Sequence, residues 1–219
     1  MTPQSLARTV LAVVLVASAI PAGGGAKAQD RKAYSEPQLL KQSGPHFSMP
    51  GDLAITPDGS YLLVADTGNN EIKVLQPGTL DIVSRFGDSS LDTPQRLEFT
   101  SDGLLLVADR NDTRVTVYKF NGVYRDGSAN VKQLEVRPAT ITPPPEPPSI
   151  TDANGLRYVI EMDENRIMIF DEDRNQISAY GADHLNAPNA VETVGRYFWI
   201  ADTGNNRILL LKAPLPNGP

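Results

Sequence analysis

The sequence contains no cysteine, two histidines and a single tryptophan. Without cysteine there is no disulfide framework, thiol nucleophile, lipoprotein anchor or thiolate metal site. Basic residues are outnumbered, 20 Lys and Arg against 26 Asp and Glu, for a formal net charge of −6. Phosphate backbones need clustered Lys and Arg, so nucleic acid is not an expected partner. Long apolar runs are also missing. Val10–Ile20, broken only by Ser18, falls short of the roughly 20 residues of a transmembrane helix. No transmembrane segment is expected.

That short run fits a leader instead. Arg8 precedes it, and Pro21-Ala22-Gly23-Gly24-Gly25 and Ala26-Lys27-Ala28 follow. A basic start, an apolar core and an A-x-A pattern predict a secretory signal peptide over residues 1–28. The protein is therefore expected to be exported, periplasmic or secreted. Residues 29–36 read as a linker and residues 213–219 as a C-terminal tail.

What the sequence does have is a repeat. Residues 65–70 read A-D-T-G-N-N, and residues 201–206 read A-D-T-G-N-N again. Each copy lies between apolar runs, Leu62-Leu63-Val64 before Ile72–Leu75, and Phe198-Trp199-Ile200 before Ile208–Leu211. Looser copies run from Leu105 through Asp109 to Arg114 and from Tyr158 through Glu161 to Arg166. The marking acids are Asp66, Asp109, Glu161 and Asp202. The period of about 40–45 residues with four short strands per unit is a propeller signature.

Turn residues separate the strands. Pro57-Asp58-Gly59, Ser101-Asp102-Gly103, Asn121-Gly122 and Asn154-Gly155 are hairpin or turn signals. The second unit offers two candidates for its fourth strand, Val123-Tyr124-Arg125 or Val131–Val136. Pro143–Pro148 predicts a stiff extended loop, with Ser149-Ile150-Thr151 as what remains of a first strand. Asp171–Asn175 imitates a calcium loop but has Gln176 where Gly is required, and reads as a solvated hairpin. The last unit lacks a fourth strand. Gln38–Gly44 resembles one, and would complete that blade and close a ring.

The opening Pro, the P-D-G turn, L-V-A-D-T-G-N-N-x-I and the aromatic-Gly or Ser-Gly stop resemble NHL repeats, over roughly residues 37–212. The resemblance implies an all-β propeller, here of four blades of four antiparallel strands. NHL domains commonly have six. They include an amidating lyase with a zinc site of three histidines; two histidines cannot build that site unaided, so no lyase activity is carried over.

Topology places the D-T-G-N-N turns and the loops around His46 and His184 on one face. The candidate ligand face comprises His46, Asp66, Asn69, Asn70, Asp109, Arg114, Glu161, Arg166, His184, Asp202, Asn205 and Arg207. The acids have a structural reading, in which Asp66 and Asp202 cap turn N–H groups, the turn Gly supplies an unusual backbone conformation, and Arg114, Arg166 and Arg207 pair with the acids. His46 and His184 each stand four residues before a repeat Pro, with Asp183 adjacent, a candidate zinc or calcium site. Trp199 falls on a core position. No catalytic residue is nominated. The sequence predicts a non-enzymatic scaffold for a protein, peptide or glycan, as a monomer or homodimer. A metal-assisted lyase or hydrolase is the alternative.

Overall fold

The computed structural model describes residues 33–87, 89–109, 113–138 and 149–216. They belong to one compact unit, Lys32–Pro219. After β1 (Gln38–Gln42), the first module consists of β2 (Pro50–Ile55), β3 (Leu62–Asp66), β4 (Glu71–Leu75) and β5 (Ile82–Phe86). The second holds β6 (Arg96–Phe99), β7 (Leu104–Asp109), β8 (Arg114–Val123) and β9 (Ala129–Pro138). The third holds β10 (Ser149–Thr151), β11 (Arg157–Glu161), β12 (Arg166–Phe170) and β13 (Gln176–Tyr180). The last holds β14 (Pro188–Val194), β15 (Tyr197–Asp202) and β16 (Arg207–Lys212).

These strands form four four-stranded antiparallel sheets, the arrangement of propeller blades. Three run in chain order. The fourth has the order β1-β16-β15-β14, so the N-terminal strand is its outermost member, with Gln38 opposite Lys212 and Gln42 opposite Leu209. Tyr34 also bridges Pro216, and the Ser35 N–H donates to the Leu215 carbonyl at 2.8 Å.

The middle strands of the first and last sheets are apolar on both faces because each of these two sheets packs between two others. Leu62, Val64 and Leu75 join Trp199, Ile208 and Leu210 between the first and last sheets. Leu63, Ile72 and Val74 join Leu105, Val107 and Tyr118 between the first and second. Tyr158, Ile160 and Ile167 join Phe198, Ile200 and Leu209 between the third and last. Each such side chain, fully buried, contributes about 1.5–3 kcal/mol. Trp199 is core, and its Nε1 donates to the Pro77 carbonyl at 3.0 Å.

Two local expectations need correction. Asn121-Gly122 is not a hairpin turn; it lies within β8, at an irregularity between Phe120 and Val123. Gly122 has φ 97, so the glycine supplies the backbone conformation that this irregularity needs. The turn falls at Tyr124–Ser128, closed by Tyr124 N–H to the Ser128 carbonyl at 2.8 Å. Ala129–Pro138 is accordingly the fourth strand, and Val123-Tyr124-Arg125 is not. Asp171–Asn175 is a hairpin turn, with the Asp171 carboxylate accepting the Asn175 N–H at 2.8 Å. Pro143–Pro148 lies outside the described residues.

Candidate functional site

The two A-D-T-G-N-N turns fold alike. Each contains a single 3-10 turn, Thr67–Asn69 and Thr203–Asn205, ended by an Asn in the left-handed region, Asn70 at φ 56 and Asn206 at φ 52. The carboxylates of Asp66 and Asp202 are fully buried. Neither caps its own turn. Asp66 Oδ1 accepts the Ser48 N–H at 2.7 Å, and Asp202 Oδ1 the Asn186 N–H at 2.7 Å. These donors lie in the loop leading into the same module, so each acid ties that loop to the turn. The other oxygen accepts from Asn69 Nδ2 at 2.7 Å or Asn205 Nδ2 at 2.9 Å.

The turn glycines also have a different purpose from the one expected. Gly68 and Gly204 are not among the positive-φ residues. A Cβ on Gly68 would sit 2.8 Å from the Ser48 carbonyl oxygen, and on Gly204 2.8 Å from that of Asn186. Glycine is needed because the loop backbone comes so close.

The final Asn of each turn reaches the neighbouring module. Asn70 Oδ1 accepts the Thr93 N–H, Asn165 Oδ1 the Ala187 N–H and Asn206 Oδ1 the Met49 N–H, each at 2.7 Å. Each donor has positive φ and immediately precedes the Pro that opens a module. Thr67 and Thr203 add bonds of 2.6 Å to the Pro94 and Pro50 carbonyls. Of the residues nominated as a ligand face, Asn70 joins two modules, and Asp66, Asn69, Asp202 and Asn205 tie loop to turn within one.

The expected ion pairs form. Arg114 Nε donates to Asp109 at 2.7 Å, Arg166 Nε to Glu161 at 2.6 Å and Arg207 Nε to Asp202 at 2.6 Å. The hydrogen bond that Arg114 donates to Asp109 is the main reason its guanidinium titrates above its ordinary range. In the first module the equivalent position is Glu71, and Lys73 supplies the cation to Asp66 instead.

His46 and His184 enter this scheme through their backbones. The His46 carbonyl accepts from Lys73, and the His184 carbonyl from Arg207 and Asn205. Ser90 occupies the same place in the second module, its carbonyl accepting from Arg114 at 2.8 Å. The column position is therefore used for its carbonyl. Both histidine side chains are exposed, and the His184 ring lies 6.3 Å from that of Tyr180. Among the described residues no group of three or more His, Asp or Glu is placed to hold a metal ion, and Asp183 joins neither histidine in such a group.

Beside the Lys73 cluster lies an open groove of about 950 Å³. All five residues of β5 line it, with His46, Asn69, Glu71 and Lys73, and with Gly127–Ala129 of the β8–β9 hairpin. Lys73 is buried against Asp66, lies 3.3 Å from Glu71 and sits over the Phe47 ring at 4.9 Å.

A second polar feature sits on the first strands of the modules. Asp52 on β2 accepts the Leu53 N–H and, from the second module, the Leu97 N–H, both at 2.8 Å. Burial pushes the Asp52 carboxyl up to about 7 against those two bonds, and the nearby Glu192 charge pushes the same way. Burial raises Glu192 on β14 to about 7 as well. Glu98 on β6 is raised for the same reason.

Residues 14–141, well over half of the chain, match the family described as lactonase, 7-bladed β-propeller. The chain belongs to that family. No curated protein matches it significantly. Among solved structures it is similar to the β-propeller domain of Myceliophteria thermophila Cps50 (Swd1), at 13% identity and a TM-score of 0.35, covering 75% of this chain and 53% of that one. It is also similar to the Pseudomonas aeruginosa periplasmic gluconolactonase PpgL, at 15% identity and a TM-score of 0.34, covering 76% and 53%. Kuenenia stuttgartiensis hydrazine synthase is a third, at 18% and 0.31, covering 71% and 42%. The chain spans about half the length of these structures.

In this lactonase-family chain, Asp52 and Glu192 escaped the sequence reading. Their environment depends on strands from different modules, which no local spacing reveals. The available signal was Asp52 itself, a carboxylate in the otherwise uncharged strand Pro50–Ile55. Among the described residues no helix is long and apolar enough to cross a membrane.

Proposed function

We propose that this is an exported, NHL-type propeller whose four sheets act as four blades, and that it works as a non-enzymatic binding scaffold for a protein, peptide or glycan. The observation that carries the reading is how the polar turn residues are used. Asn70 and Asn206 join neighbouring modules, and Asp66 and Asp202 with their cations tie each entry loop to its turn, which yields a rigid support rather than a reactive centre. The groove beside β5 is the concave, polar surface that this support presents. Leader cleavage after Ala28 would deliver the domain to the periplasm or the medium. The test is binding of the purified mature chain to peptide and glycan arrays. Specific retention supports the scaffold, and none on either array rejects it.

The second reading is hydrolysis of a lactone. The family match and the two carboxyls near neutrality, Asp52 and Glu192, favour it. A carboxylate with a pKa near the working pH can take a proton from an attacking water. On this reading Glu192 is the better base, because both oxygens of Asp52 already accept backbone N–H groups. Titration of acid release from five- and six-membered lactones tests it. Turnover that Glu192→Gln abolishes would establish the enzyme, and the absence of turnover would remove it. The histidines and Asp183 remain the candidates for zinc or calcium, and elemental analysis of wild type and a His46→Ala/His184→Ala variant decides that question.

A further inference from the structure

The groove is built around a strand edge. β5 is the outermost strand of the first sheet, so its outward N–H and C=O groups have no ladder partner within that sheet. Such an edge is a template for another extended chain. All five β5 residues line the groove, with Ile82 and Arg85 exposed and Ser84 and Phe86 buried. At the lower end the β8–β9 hairpin closes in: a Cβ on Gly127 would lie 3.8 Å from the Val83 carbonyl oxygen. Beyond that closure the exposed residue of β5 is Arg85, flanked by the buried Ser84 and Phe86 on the way to His46.

The charges along this length are unequal in exposure. The Arg85 side chain is 71% exposed and pairs at 3.8 Å with Glu71, whose own side chain is only 8% exposed. Asp66 and Lys73 neutralise each other below the surface. A chain lying along β5 would therefore meet a cation at Arg85, and the negative charge behind it is withdrawn from contact. A carboxylate directly across from Arg85 is the favoured cross-strand neighbour, and a Lys or Arg there is repelled. The exposed His46 at the upper end adds a polar wall. The arrangement belongs to the first module alone among the A-D-T-G-N-N pair, because Arg207 occupies in the last module the place of Glu71.

We infer that β5 takes up a short extended peptide as an additional strand, and that this peptide carries an acidic side chain to meet Arg85. The inference rests on the scaffold reading and narrows its ligand to a peptide held mainly by backbone hydrogen bonds. The test uses the full mature chain and fluorescently labelled, capped peptides of alternating Thr and Val with a central Asp. Controls carry a central Lys, or N-methyl groups on one or the other alternate set of amides. The Asp peptide should bind at least tenfold more tightly than the Lys peptide. Arg85→Glu should reverse that preference, and Arg85→Gln should abolish it. N-methylation of one alternate set should abolish binding, and of the other set should not. Equal affinity for Asp and Lys peptides, indifference to both methylation patterns, or no binding overturns the inference. So does a concentration-dependent dimer by analytical ultracentrifugation that Arg85→Glu dissociates, which would make a second copy the occupant. Retention on a glycan array without peptide binding would overturn it while leaving the scaffold reading intact.

Discussion

The first and last modules share the hexapeptide A-D-T-G-N-N and diverge one residue later, as Glu71-Ile72-Lys73 against Arg207-Ile208-Leu209. The shared part does the same work in both. One buried Asp ties the preceding loop, one glycine lets that loop approach, and one left-handed Asn reaches the next module. The divergent part moves the cation two positions along its strand. Strand positions two apart share a face, so Lys73 reaches Asp66 from a deeper place than Arg207 reaches Asp202. The Lys73 side chain is 6% exposed and that of Arg207 22%. A repeat can thus keep its architectural contacts while relocating a charge, and the relocation is what leaves Glu71 and Arg85 beside the groove.

The largest test of this comparison is Lys73→Leu, which copies the residue of the last module without its arginine. It leaves the buried Asp66 without its cation and Glu71 with only the exposed Arg85, and should cost about 3–5 kcal/mol, the usual effect of breaking a buried pair. Glu71→Arg/Lys73→Leu rebuilds the arrangement of the last module and should recover most of that loss in urea unfolding. If the double variant is no more stable than the single one, the two turns are not interchangeable and the comparison fails.

The strands of the two modules also meet at Asp52 and Glu192, which predicts a pH dependence. Both carboxyls titrate near 7 in the folded chain, above their ordinary values of 3.8 and 4.5. Between about pH 4 and 7 the folded state therefore holds more protons than the unfolded one. Its stability is fullest toward acid and declines as pH rises through 7. Roughly 1–3 kcal/mol should be lost between pH 6 and 8. Asp52→Asn/Glu192→Gln should flatten that slope in thermal unfolding. An unchanged slope would assign it to other groups.

A smaller effect separates the two duties of the staple residue. Asn206→Gly keeps the left-handed conformation but loses the acceptor for the Met49 N–H, and should cost about 1 kcal/mol. Asn206→Ala loses both and should cost about 2 kcal/mol. Equal costs would mean that the hydrogen bond to the first module carries the whole effect.

How much of this was legible depends on whether the cause was local. The sheets were, because the apolar runs and their turns recur with one period. So was the pairing of β1, because Gln38–Gly44 resembles the fourth strand that the last module lacks. The arginine pairs were legible as well, since residues five apart across a tight turn face each other. Gly68 was misread because its neighbour, Ser48, is twenty residues away in sequence. Asn121-Gly122 was misread because the positive φ of Gly122 serves an irregularity within β8 rather than a turn. Asp52 and Glu192 were invisible because their shifts arise where strands from different modules converge. The groove was invisible for the same reason, being walled by two modules at once.

The least effect is expected between the first and second modules, where Thr116 is 2% exposed and its Oγ1 has no hydrogen-bond partner. It stands opposite Val107 on β7 and Val136 on β9, so its neighbours on both sides are β-branched and apolar. Burying an unpaired hydroxyl is costly because water no longer satisfies it. Thr116→Val replaces that hydroxyl with a methyl group of similar size and keeps the β-branch that suits a strand. The variant should gain up to about 1 kcal/mol in urea unfolding, with the slope against denaturant unchanged. A loss of stability would show that the hydroxyl does find a partner, and that this interface is more polar than its apolar residues indicate.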